Sequence, residues 1–138
     1  MTAKLFAIIF LSAVLFLIPT HSKCAEIKIT DSSGEIIELQ NAKIDYTEYP
    51  TSFGFYKKDY EYGGIRIHRG SGVTTVHWKN IAVIKISGVS KATITLTSGK
   101  EYEVTLVSAS KKGLFGKTDL GEYEIPLISV KKIEVTKP

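Results

Sequence analysis

Apolar and polar side chains alternate with a period of two over much of the chain after residue 25. The clearest runs are residues 26–30, 92–97 and 101–107, which are also rich in Ile, Val, Thr and Tyr. Successive side chains of a strand point to opposite faces of a sheet, so this pattern is typical of strands that bury one face. No stretch after the first 25 residues shows the 3.6-residue period of an amphipathic helix. The chain is therefore expected to be all-β.

Short polar or glycine-containing segments separate the alternating runs. They are residues 31–34, 70–72, 98–100 and 119–121. Two alternating runs on either side of such a segment are typical of a β-hairpin. We therefore expect a tight turn at each of these four places.

The same order of features occurs twice along the chain. Residues 78–86 align without a gap with residues 127–135, and the apolar positions coincide. Residues 27–30 also align with residues 94–97, provided that a gap of two residues follows before the turn. Each half then consists of a hairpin, a strand, a glycine turn, an apolar strand, a bend and a closing strand, which indicates an internal duplication.

Each half on its own would expose an apolar sheet face, so the natural solution is burial against the other half. The faces expected in the core include Val76 with Trp78 and, in the second half, Ile125 with Leu127. The predicted architecture is a small β-sandwich or a partly closed SH3-like or Sm-like barrel.

The predicted boundaries follow from the duplication. The two degenerate repeats cover about residues 26–88 and about residues 91–136 of a single β domain, which spans residues 23–138.

The N-terminal residues follow a different pattern. Lys4 precedes an apolar run at residues 5–18, which is shorter than the roughly 20 residues of a membrane-spanning helix and close to the core of a signal peptide. We predict a signal-peptide helix over residues 1–22 and export to the periplasm or the extracellular space, with no stable membrane span in the mature form. Anchoring through an uncleaved leader or through a lipidated Cys24, the only cysteine, is the alternative.

One segment of the second repeat resembles a segment of uncharacterised exported bacterial β-domain proteins. It covers residues 116–133 and follows the pattern G-x-T-x-x-G-E-x-x-I-P-L-x-x-V-x-x-I. The resemblance implies a shared structural hairpin and no activity. In the first repeat His77 stands where this segment has Pro126, so the two repeats depart from one another at that position.

The first repeat carries an aromatic insert, residues 45–64, where the second repeat has only a short linker. Tyrosine combines a large apolar ring with a polar tip, and loops on a rigid β scaffold commonly carry binding residues. The candidate residues for binding a ligand or partner are Tyr49, Phe53, Phe55, Tyr56, Tyr60 and Tyr62. The alternative is structural, because aromatic side chains in an insert can also cover a sheet edge or cap an open barrel end.

No pattern of residues assigns a catalytic, metal or cofactor site. His68 and His77 flank the turn at residues 70–72, and neither register of the hairpin allows both to bind one metal ion. The chain has no Gly-x-Ser-x-Gly motif, and nothing in the spacing selects two of the insert carboxylates for acid–base chemistry. The formal net charge of +4 is mild and its lysines are scattered, so we expect no nucleic-acid partner.

These observations predict a non-enzymatic binding or interaction module of the bacterial envelope, with an envelope protein or a glycan as its partner. Two alternatives stay open. The first is a structural subunit that forms a homo-oligomer through its sheet edges. The second is a hydrolase of envelope polymers that uses carboxylates of the aromatic insert.

Overall fold

A computed structural model describes residues 25–46, with the backbone alone at Tyr46, and residues 63–138. The predicted signal peptide and most of the aromatic insert lie outside these residues. The described chain contains ten strands, three short 3-10 turns and no α-helix, which confirms the all-β prediction. The strands are β1 (Ala25–Asp31), β2 (Ile36–Tyr46), β3 (Gly64–Arg69), β4 (Gly72–His77), β5 (Ile81–Ile86), β6 (Lys91–Leu96), β7 (Glu101–Leu106), β8 (Lys112–Thr118), β9 (Gly121–Pro126) and β10 (Val130–Lys137). Among the described residues, none forms a helix with the length and hydropathy needed to span a bilayer.

The four expected turns are present. In the β1–β2 and β6–β7 hairpins, Gly34 and Gly99 adopt the same positive φ of 91°, which glycine adopts without strain. The amide of Gly34 donates to the carbonyl of Asp31 (3.0 Å), and that of Gly99 donates to the carbonyl of Leu96 (2.9 Å). The two hairpins therefore close in the same way.

All ten strands belong to one antiparallel sheet in the order β4-β3-β7-β6-β5-β10-β1-β2-β8-β9. The sheet curls into a half-barrel, with β4 and β9 at its two edges. Of the two architectures expected, the partly closed barrel is the one that forms.

Strands β1 to β5 of the first repeat correspond in order to β6 to β10 of the second. When each strand is replaced by its counterpart, the order read from one edge of the sheet is the same as the order read from the other edge. At the centre β5 pairs with β10, and Ile84 lies opposite Ile133, its own counterpart. The β3–β4 hairpin of the first repeat pairs with β7 of the second, and the β8–β9 hairpin pairs with β2 of the first. The two repeats are therefore interlocked across a pseudo-two-fold axis.

The strand registers correct the expected alignment of the first hairpins. Ile29 pairs with Ile133, and Ile94 pairs with Ile84, so Ile29 and Ile94 occupy equivalent positions. The alignment of Ile27 with Ile94 was wrong by two residues, and no gap is needed before the turn. A shift of two residues keeps every side chain on its face, so alternation alone does not detect it.

The core is built from apolar side chains at equivalent positions of the two repeats. The buried pairs include Ile29 with Ile94, Ile65 with Leu114, Trp78 with Leu127, Ile81 with Val130 and Ile84 with Ile133. The predicted bends are 3-10 turns at Trp78–Asn80 and Leu127–Ser129, and each buries its first residue. The faces predicted from the alternation are thus confirmed.

Candidate functional site

The six candidate aromatic residues of the insert lie outside the described residues, but both ends of the insert are described. On one side the backbone of Tyr46 pairs with Lys112 at the start of β8. On the other side the carbonyl of Gly63 accepts a hydrogen bond from the amide of Trp78 (2.9 Å). The insert therefore joins the end of β2 to the start of β3, beside the 3-10 turn Trp78–Asn80.

The registers give the length that the insert adds. Counterparts in the first hairpins, such as Ile29 and Ile94, lie 65 positions apart, whereas Val76 and Ile125 lie 49 positions apart. The first repeat is therefore longer by 16 residues between β2 and β3.

A groove opens between the β3–β4 hairpin and the β6–β7 hairpin. We call it the β4 groove; its volume is about 540 Å³. The lining residues that belong to the core face are Ile67, Val76, Ile94, Leu96, Tyr102 and Val104, and the rim includes His68, Arg69, Thr74, Ser98 and Glu103. The Tyr102 side chain is 47% exposed, opposite the buried Ile94 on the neighbouring strand.

A second groove, of about 710 Å³, lies in the other half of the sheet, beside the β8–β9 hairpin and strands β1 and β2. We call it the β9 groove. Ile37 stands there at the position of Tyr102, and Lys117 at the position of His68. The two grooves therefore share six equivalent lining positions, and the side chains differ at five of them.

The charges of the two grooves differ. The β9 groove is lined by four carboxylates and one lysine, namely Glu26, Glu35, Glu38, Asp119 and Lys117. The β4 groove has one arginine and one glutamate, so their formal charges cancel, together with His68. Of the two grooves, only the β4 groove therefore combines an aromatic ring and an apolar floor with a rim whose formal charges cancel.

The pKa of Tyr123 reflects the acidic surroundings of the β9 groove. Burial raises the pKa of its hydroxyl, and the nearby charges of Asp31 and Glu35 raise this pKa further. A negative field of this kind disfavours anionic ligands and favours cationic ones.

His68 and His77 do not bind one metal ion together. His68 pairs with Val73, and His77 pairs with Gly64, so the two imidazoles share a face but stand four residues apart along it. That spacing corresponds to roughly 13 Å at the rise of a strand. Within the described chain, no three His, Cys, Asp or Glu side chains are grouped so as to hold a metal ion.

Asp45, one of the carboxylates considered for acid–base chemistry, is buried near the end of β2. It lies opposite Gly113, next to the buried Lys112, and both charged side chains interact within the fold. Buried charged side chains persist where they have polar partners, so a structural role accounts for both residues.

Comparison of the chain with protein-family models, with curated proteins and with solved structures finds no match in any of the three.

Tyr102 does not stand out in the sequence. It lies in an ordinary alternating strand, and the aromatic insert is the denser aromatic segment. The corrected alignment would have identified it, because Tyr102 occupies the position that Ile37 has in the other repeat. A tyrosine ring therefore stands on a core face where the other repeat has an aliphatic side chain.

Proposed function

We propose that the protein is an exported, non-enzymatic binding module of the bacterial envelope and that the β4 groove is its ligand site. The observation that carries the proposal is the open apolar floor of this groove with the half-exposed ring of Tyr102 in it. Ligand sites are concave and mostly apolar, with a few polar groups that orient the ligand. The partner is an envelope protein or a glycan, since both present apolar faces together with hydrogen-bonding groups.

The position of the aromatic insert supports the β4 groove over the β9 groove. The carbonyl of Gly63, near the end of the insert, accepts a hydrogen bond from the amide of Trp78, and Asn80 of the same 3-10 turn lines the β4 groove. An insert of 16 additional residues anchored beside the groove is long enough to contribute Tyr49, Phe53, Phe55, Tyr56, Tyr60 and Tyr62 to one binding surface.

Co-purification of crosslinked partners from the native envelope tests the proposal. The intact protein is compared with Tyr102→Ala and with the matched variant Ile37→Ala in the β9 groove. We expect Tyr102→Ala to lose most of the captured partner, because truncation of a central aromatic anchor commonly costs 2 kcal/mol or more, roughly 30-fold in affinity. Ile37→Ala should retain it.

The contribution of the insert is tested by the triple variant Tyr49→Ala, Tyr56→Ala and Tyr60→Ala and by deletion of residues 49–62. A weaker capture at unchanged thermal stability would place the insert in the site. If Tyr102→Ala and the insert variants all retain the partner while folded, the β4 groove is not the binding site.

A further inference from the structure

The two edge strands of the sheet are equivalent by position and opposite in chemistry. β4 reads Gly-Val-Thr-Thr-Val-His and contains no carboxylate, lysine, arginine or proline. β9 reads Gly-Glu-Tyr-Glu-Ile-Pro and carries two exposed glutamates and a terminal proline. Charges and proline are the features by which edge strands avoid pairing with other chains, so β9 is protected and β4 is not.

The register shows which backbone groups of β4 are free to pair. Arg69 and Gly72 flank the two-residue turn as a directly opposed pair, and such turns close on a hydrogen-bonded pair. Hydrogen-bonded pairs alternate along an antiparallel ladder, so the N–H and C=O groups of Val73, Thr75 and His77 point away from β3. No other strand of the described chain lies on that side of β4.

From these observations we infer that β4 pairs antiparallel with β4 of a second copy of this chain, about a two-fold axis at Thr75. An antiparallel pair of identical strands has its axis perpendicular to the sheet and places a residue opposite itself. With Thr75 at the axis, Val73 meets His77 of the partner chain, and the outward groups of all three residues pair in roughly six backbone hydrogen bonds. An axis at Thr74 would use fewer of them.

The side chains suit this register. Thr75 opposite Thr75 is a favourable cross-strand pair, and no like charges face one another. Val73, which is 44% exposed, becomes covered in the new sheet. A short edge-to-edge contact is small for a stable interface, so we expect a dissociation constant on the order of micromolar.

The same operation on β9 is unfavourable. There Glu124 would lie opposite Glu124, and Pro126 would lack the N–H that His77 supplies at the equivalent position. The contrast between two strands in one fold assigns self-pairing to β4 alone. This inference is independent of the ligand of the β4 groove, since self-association needs no ligand.

Self-association is measured by analytical ultracentrifugation on the protein purified from bacterial cells that export it. Charge-swap variants of β4 test the inference. Thr75→Lys and Thr75→Glu each place like charges at the axis, and we expect each to weaken self-association about tenfold or more. An equimolar mixture of the two should restore it, because the opposite charges then meet. Glu124→Lys, at the equivalent position of β9, is the matched control and should leave self-association unchanged.

A second variant, His77→Pro, copies the residue that β9 already has at this place and removes an outward donor without adding charge. We expect it to weaken self-association while circular dichroism stays that of the folded protein. The inference is overturned if the native protein is monomeric up to about 100 micromolar, a concentration far above the expected constant. It is also overturned if the Thr75 and His77 variants, still folded, associate like the native protein.

Discussion

Hydrogen bonds to one carboxylate stabilise the turn of the β1–β2 hairpin. Asp31 Oδ1 accepts from the amide of Ser33 (2.9 Å), from Ser33 Oγ (2.6 Å) and from the amide of Glu35 (3.0 Å). The hydrogen bond from the Ser33 side chain is the largest cause that holds the pKa of Asp31 below its ordinary value, and backbone hydrogen bonds lower it further. In the equivalent turn of the β6–β7 hairpin, Leu96 occupies the position of Asp31. The glycine conformation is therefore sufficient to form the turn, and the Asp31 carboxylate adds stability to it.

A pH dependence follows from the lowered pKa of Asp31. Because this pKa is lower in the folded than in the unfolded chain, its stabilisation is present above the unfolded pKa and is lost as the pH falls through the folded pKa. We expect Asp31→Asn to lower the melting temperature at pH 7 and to differ little from the native protein near pH 2. Ser33→Ala should give part of this effect, and an equal deficit of Asp31→Asn at both pH values would contradict the assignment.

Gly64 is required by a close backbone approach in the β3–β4 hairpin. A Cβ at this position would overlap the carbonyl oxygen of Val76 and would lie 2.8 Å from the Cα of His77. Backbone atoms cannot move aside as a flexible side chain can, so Gly64→Ala is expected to cost about 1–3 kcal/mol of the free energy of unfolding. Urea denaturation measures this cost. Gly88→Ala, where no atom lies within 4 Å, is the control and should change it by less than about 0.5 kcal/mol.

At the scale of elements, local signals made much of the fold predictable. Turns at glycine, strands of period two and the bends before β5 and β10 each depend on a few neighbouring residues, and all were expected from the sequence. The pairing of β3 with β7 and of β2 with β8 was not, because it joins segments that are distant in sequence and leaves no local pattern.

The candidate site was less predictable for the same reason. The sequence points to the aromatic insert, whereas Tyr102 becomes notable only when β3, β4, β6 and β7 are brought together around one groove. The contrast between the two edge strands likewise needs the strand order. Composition alone does not show which strands form the edges.

The equivalence of the two 3-10 turns leads to a prediction about Trp78. Its indole is buried at the position that Leu127 fills in the second repeat. Trp78→Ala should cost about 3–5 kcal/mol of unfolding free energy because it leaves a large cavity. Trp78→Leu should cost clearly less, since the same turn accommodates leucine in the other repeat. Equal losses for the two variants in urea denaturation would show that the turns are not interchangeable.

At the scale of the whole molecule, the interlocked repeats make the fold indivisible. The β8–β9 hairpin lies on β2, β10 lies between β5 and β1, and β7 and β6 lie between β3 and β5. In the second repeat alone, four strands would therefore lose at least one neighbour. A fragment of about 50 residues also buries too little apolar surface to be stable without such partners.

We therefore expect the fragment of residues 89–138 to lack cooperative structure by circular dichroism. Mixing it with residues 23–88 should recover the sheet. The intact protein should unfold in one transition, with coincident curves for Trp78 fluorescence and for circular dichroism. A cooperative melt of the isolated second repeat would contradict the interlocked arrangement.

The two grooves are proposed to differ in function, with the partner bound in the β4 groove. The most direct measurement places a photo-crosslinking amino acid at Tyr102 and, in a matched protein, at Ile37, and irradiates each in the native envelope. We expect an adduct from position 102 and none from position 37, and the mass of the adduct distinguishes a polypeptide from a glycan. Equal adducts from both positions, or an adduct from position 37 alone, would contradict it.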